Sequence, residues 1–157
     1  MKCIAADGKI IMAHKTIWIV ERRVLYTHFS GNISQPELEG YMNDIVVEIP
    51  KGIPMVHQIT NSLEMGKVEV SLKTLQTLIN GYKMVSALGW NIDINRNPIN
   101  KMFAGIGSQI ARARFRTFST MDEAVAFLRE HDDTLVNVQW NLDTPVEDTL
   151  PLNNLRG

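Results

Sequence analysis

The run Arg114-Phe115-Arg116-Thr117-Phe118-Ser119-Thr120-Met121-Asp122-Glu123-Ala124-Val125-Ala126-Phe127-Leu128 reads as a strand that stops at a helix cap and turns directly into an amphipathic helix. Thr120 and Glu123 have the Ser/Thr-x-x-Glu spacing of a capping box, in which the hydroxyl accepts the N3 amide and the carboxylate reaches back. Met121, Ala124, Val125 and Leu128 recur at i, i+3, i+4 and i+7, an apolar stripe that needs a surface to cover. A sheet containing the preceding strand is the simplest such surface.

Working outward, the same grammar repeats. His14–Glu21 reads as a strand with Ile17 and Ile19 on one face and Trp18 and Val20 on the other. Arg22-Arg23 marks a hairpin tip, and Val24–Ser30 returns. Ser34 and Glu37 form a second capping box, with Pro36 tolerated in the first turn, opening a helix to about Val47. Met55–Thr60 is a short apolar strand, residues 61–70 read as a loop, and a helix from about Ser71 shows Leu72, Leu75, Leu78, Ile79 and Tyr82. Leu88–Ile94 alternates Trp90, Ile92 and Ile94 against Asn91 and Asp93. Asn97-Pro98 is an N-cap followed by proline at N1, and the helix to about Arg112 carries Ile99, Met102, Phe103, Ile106 and Ile110 as its expected buried stripe. Val136, Val138, Trp140 and Leu142 alternate with polar residues, predicting an extra C-terminal strand on the chain's own sheet or across a dimer interface.

Strands alternating with helices imply a largely parallel sheet with right-handed crossovers. The expectation is one α/β domain over residues 14–131, with a mostly parallel sheet of four to five strands, an N-terminal β-hairpin and about four helices. Residues 1–13 are expected to form an arm, as a small hairpin or an extended segment, and residues 132–157 the C-terminal strand and tail. The chain of 157 residues is 45% hydrophobic, enough for one core. Its net charge of −1 gives no overall pull towards nucleic acid. No apolar run approaches the roughly 18 residues of a membrane span. Asp7, Gly8 and Lys9 interrupt any signal-peptide core, and the single Cys3 suits a reducing compartment. A cytoplasmic protein is expected.

The order of elements, with Leu88-Gly89-Trp90 through Asn97-Pro98 and then Arg114–Leu128, resembles the SpoIIAA-like group related to STAS domains. The resemblance covers about residues 14–131 and implies a non-enzymatic regulatory or protein-interaction domain. In anti-sigma-factor antagonists of that group, an Asp-Ser-Ser-Gly-like motif after the third strand holds a serine that a partner kinase phosphorylates. The matching region here is Ile59–Gly66, which puts Ser62 in that position without the acidic residue, second hydroxyl or adjacent glycine. The wider fold also includes lipid carriers of the CRAL-TRIO kind, which implies a hydrophobic small molecule as the alternative partner.

Chemistry-bearing motifs are sparse. His14, His28, His57 and His131 show no metal-ligand spacing. His28, Ser30 and Asp93 are not joined by a nucleophile elbow. Gly105-Ile106-Gly107 lies inside a helix pattern, where Ala104, Gly105, Gly107, Ser108 and Ala111 are expected to let the helix approach its neighbour closely. No metal, no cofactor and no catalytic set is expected. Arg112, Arg114 and Arg116, with Arg96 and Lys101, form the one basic cluster, a candidate contact for an anion or acidic partner. Trp18 and Trp140, with Val136, Val138 and Leu142, are candidates for an apolar contact in a homodimer.

Overall fold

The computed structural model describes residues 3–4, 10–11, 13–81 and 86–142. Two short strands, β1 (Cys3–Ile4) and β2 (Ile10–Ile11), pair antiparallel with each other. The main sheet comprises β3 (His14–Val20), β4 (Val24–Ile33), β5 (Val56–Val68), β6 (Leu88–Ile94) and β7 (Arg114–Phe118), laid side by side in chain order. The β3–β4 hairpin is antiparallel and every later pairing is parallel. Between the parallel strands run α1 (Gln35–Glu48), α2 (Leu72–Asn80) and α3 (Pro98–Ile110), and α4 (Met121–His131) follows the last strand. Among the described residues, no helix is long and apolar enough to cross a membrane.

The caps read from the sequence form, with two differences. Thr120 Oγ1 accepts the Glu123 amide at 3.2 Å, while Glu123 Oε2 accepts from the amide of Ser119 rather than that of Thr120. Ser34 Oγ accepts from the Glu37 amide at 3.4 Å, but the Glu37 carboxylate is buried and turned towards the His14 ring. Asn97 Oδ1 accepts from both Ile99 and Asn100 amides, and Ser71 caps α2 through the Thr74 amide.

Sequential strand order with crossovers of one hand places successive helices on one face of a sheet. The contacts follow that rule. Leu25 and Val56 pack with Trp18 and the α1 end, and Phe29 packs with Leu38 and Tyr41 of α1. The opposite face carries Ile19, Tyr26, Ile59, Ile92 and Ile94, fully or nearly fully buried beneath Ala124 and Leu128 of α4. A register shift between Trp18 and Val20 turns Val20 into the α4-side cluster beside Ile19, against the strict alternation expected for β3.

Three expectations are corrected. Residues 61–68 are not a loop: they extend β5 along a lengthened β4, with Ser30, Gly31 and Ile33 opposite Glu64, Met65 and Val68. Two irregularities and the positive φ of Gly31 absorb the mismatch, and Asn32 Oδ1 accepts the Lys67 amide. Backbone pairing, which needs no apolar alternation, holds this stretch.

Residues 136–142 are not a strand. A 3-10 turn over Asp133–Leu135 leads into an irregular segment whose Asn141 amide donates to Ile19 O at 2.8 Å. Trp140 and Leu142 pack on the chain's own α4-side core, so the segment is held within the chain. The tail over 143–157 and Tyr82 lie outside the described residues.

The inward face of α3 is also offset from the predicted stripe. Ile99 and Met102 are exposed, whereas Asn100 and Ser108 are buried.

Candidate functional site

Between α1–α3 and the sheet lies a cavity of about 360 Å³. Its floor is polar. Gln58, Thr60 and Ser62 recur at every second residue of β5 and therefore share a face; Asn91 and Asp93 do the same on β6. The parallel register sets Gln58 beside Asn91 and Thr60 beside Asp93. The walls are apolar, with Ile33, Ile45, Leu75, Ile79, Phe103 and Phe115 among them.

α3 explains why this space exists. Ala104 and Gly107 line it, a Cβ on Gly105 would first meet Phe115 at 4.0 Å, and one on Gly107 would meet Ile79 at 3.4 Å. Gly105 leaves volume between helix and sheet, whereas Gly107 lets α3 approach Ile79 of α2 closely, the helix-to-helix form of the approach expected of these small residues.

Each floor residue has a defined hydrogen-bonding role. Tyr41 reaches down from α1, its hydroxyl accepting from Gln58 Nε2 and lying 3.3 Å from Thr60 Oγ1. Burial pushes the Tyr41 hydroxyl up to about 12, against the lowering effect of its Thr60 and Gln58 hydrogen bonds. Asn91 Nδ2 donates to Ser108 Oγ at 3.1 Å. Asp93, 3% exposed, accepts from Ser62 Oγ at 2.7 Å and from Asn95 Nδ2 at 3.1 Å. Burial raises its pKa, while those two hydrogen bonds and the charge of Lys101 oppose the shift.

Ser62 therefore stands inside β5, 4% exposed, with its hydroxyl bonded to Asp93 rather than presented at a helix start. The three arginines separate. Arg114 and Arg116 lie on the α4 side, their guanidinium carbons 5.3 and 5.8 Å from the Trp90 ring centre, and Phe115 points into the cavity. Arg112 occupies the preceding turn at φ 55. Trp18 and Trp140 fall on opposite faces: Trp18 Nε1 donates to Glu48 and Trp140 Nε1 to Leu135 O. Val136 and Val138 remain exposed.

The histidines serve four separate places. His14 bonds Asp44 at 2.8 Å, His28 faces Glu64 at 3.5 Å, and His131 bonds Phe127 O. His57 is the most constrained. Its Nδ1 accepts the Trp90 amide, which fixes the proton on Nε2, and Nε2 donates to Asp132 at 2.8 Å. Burial lowers the His57 pKa against the raising effect of Asp132, so the neutral ring fits its site. Arg23 binds the same Asp132 oxygen at 2.8 Å, and Thr134 donates to the other through its amide and hydroxyl. This clasp fastens the segment after α4 to the β3–β4 turn.

A crystal structure of an uncharacterised DUF3478-family protein from Shewanella loihica PV-4, described as having a SpoIIAA-like fold, superposes with a TM-score of 0.54. The match covers 75% of this chain and 95% of that one at 15% identity. The fold is SpoIIAA-like. At that identity the likeness concerns backbone architecture alone. No protein-family model and no curated protein matches the sequence.

The alternation of Asn91 and Asp93 against Trp90, Ile92 and Ile94 is visible in the sequence. Its meaning is not, because the matching polar face of β5 straddles the boundary where the sequence pattern predicts a loop. Polar residues at every second position on two adjacent central strands are the signal for such a floor.

Proposed function

We propose that this SpoIIAA-like domain is a non-catalytic carrier or sensor that binds a small, mostly apolar molecule between α1–α3 and the sheet. The observation supporting this reading is the cavity itself. Pockets of roughly 300–1,000 Å³ with apolar walls and a few convergent polar groups are the usual form of small-molecule sites. An apolar cavity of about 150 Å³ holds benzene. Scaled from that, about 360 Å³ accommodates roughly 14 non-hydrogen atoms. The polar floor gives such a molecule one preferred orientation, head towards β5 and β6.

The test is calorimetric titration with 1-decanol, comparing the native chain with Ala104→Phe, which fills the cavity from α3. Saturable binding by the native chain and its loss in a folded variant support the reading. Equal binding by both, or none by the native protein, overturns it.

A regulatory or protein-interaction role is the second reading, favoured by the exposed Val136 and Val138 beside Trp140. Light scattering of the native chain and of a Val136→Asp, Val138→Asp double variant tests its homodimer form. A dimeric mass that falls to the monomer supports it, and a monomeric native chain removes it.

A further inference from the structure

The chemistry of the cavity floor narrows the class of molecule, and this step rests on the binding role proposed above. We infer that the cavity selects an amphipathic primary amine, its ammonium seated against the Asp93 carboxylate and its apolar body along α1–α3.

Asp93 is the reason. A carboxylate in the middle of a parallel sheet is costly unless it is paired and hydrogen-bonded. Its neighbours on β6, Ile92 and Ile94, are completely buried. An ionised carboxylate offers about four acceptor sites, and two are used here, one on each oxygen, by the neutral donors Ser62 and Asn95. Among the described residues, no cation forms an ion pair with it; Lys101 acts on it only through its charge. Acceptor capacity therefore remains on a carboxylate that lines the cavity.

The rest of the floor adds further acceptors. The side-chain amide nitrogens of Gln58 and Asn91 each use one of two N–H donors, on Tyr41 and Ser108. Their carbonyl oxygens have no donor among the described residues, and both side chains line the cavity. The floor thus offers three acceptor groups, Asp93, Gln58 and Asn91, along two adjacent strands.

An ammonium carries three donors and no acceptor, which suits that set. It also supplies the charge that Asp93 lacks, through hydrogen bonds stronger than those between neutral groups. A neutral alcohol supplies one donor and leaves the charge uncompensated. A fatty carboxylate brings a second negative charge to a buried first.

The experiment titrates n-decylamine, 1-decanol and decanoate into the native protein and into Asp93→Asn near neutral pH, with circular dichroism confirming the fold. The native chain is expected to bind decylamine at least about tenfold more tightly than decanol, and decanoate weakest of the three. In Asp93→Asn the preference for the amine disappears, while decanol affinity changes less than about twofold.

Decanol binding without an amine preference in the native chain overturns the inference and leaves the cavity reading intact. An amine preference that survives in Asp93→Asn also overturns it, because the charge then acts elsewhere. Failure of all three probes removes both readings. Should Asp93→Asn not fold, the decylamine-to-decanol ratio of the native protein decides the matter alone.

Discussion

Asparagine at position 132 would keep the size of the side chain and remove both its charge and one of its two accepting oxygens. In the native chain the Asp132 carboxyl is held at about 2, against an ordinary 3.8. Burial works to raise it, but hydrogen bonds from Thr134 and His57 and the Arg23 guanidinium outweigh that. At 1.36 kcal/mol per unit, the gap corresponds to about 2.4 kcal/mol of folded-state stability at pH 7. The Asp132 side chain is 17% exposed, so screening at the rim lowers the expected loss to roughly 1.5–2 kcal/mol. The direction with pH follows from proton uptake. Asp132 is depressed on folding, so its contribution is complete above 3.8 and drains away as pH falls towards 2. His57 is also depressed, so its contribution declines below its ordinary 6.5. Urea unfolding followed by tryptophan fluorescence should place the Asp132→Asn midpoint roughly 1 M lower at pH 7. The two proteins should converge as pH falls to about 2, the native protein losing the difference. Equal midpoints at pH 7, or a difference that persists undiminished into strong acid, would refute the clasp as described.

Two further substitutions probe the same side of the sheet. Gly89→Ala places a Cβ 2.6 Å from His57 Nδ1 and 2.8 Å from Cε1. The ring is pinned by Trp90 and Asp132, so about 1–3 kcal/mol of stability should be lost in urea titration; an unchanged midpoint would mean the ring moves freely. Trp140→Ala removes the indole that donates to Leu135 O and lies beneath Arg129. Hydrogen exchange at the Asn141 amide should then accelerate at least about tenfold with little change at Ile59, as expected of a local opening. Parallel acceleration at both sites would show that the segment belongs to the global unfolding unit.

The architecture was legible because its signals are local. Ser34, Ser71, Asn97 and Thr120 each stand at the start of a helix, and the Ile92–Ile94 alternation gives β6 its two faces. The errors share one cause, since each concerns a choice made by tertiary contact. Residues 61–68 became strand because β4 offered a backbone partner. Val136–Leu142, with the cleanest alternation in the chain, became an irregular segment because it makes one backbone bond to the sheet and otherwise packs through Trp140 and Leu142. α3 turned Asn100 and Ser108 inward because the polar floor and the Gly66 carbonyl provide partners for them. That same polar burial is what hid the candidate site, since a sequence reading assigns polar residues to solvent first.

The bond from Asn141 to Ile19 also bears on how copies of this chain meet at high concentration. A sheet left bare at both margins can be extended by further molecules, margin to margin. Here the chain's own returning segment stoppers the β3 margin at one point. The β7 margin is only five residues long and carries Arg114 and Arg116. Stacking two β7 margins would bring like charges together, and joining β7 to β3 would first require the Trp140 segment to lift. Among the described residues, pairing of sheet margins is therefore opposed by a plug at one end and by charge at the other.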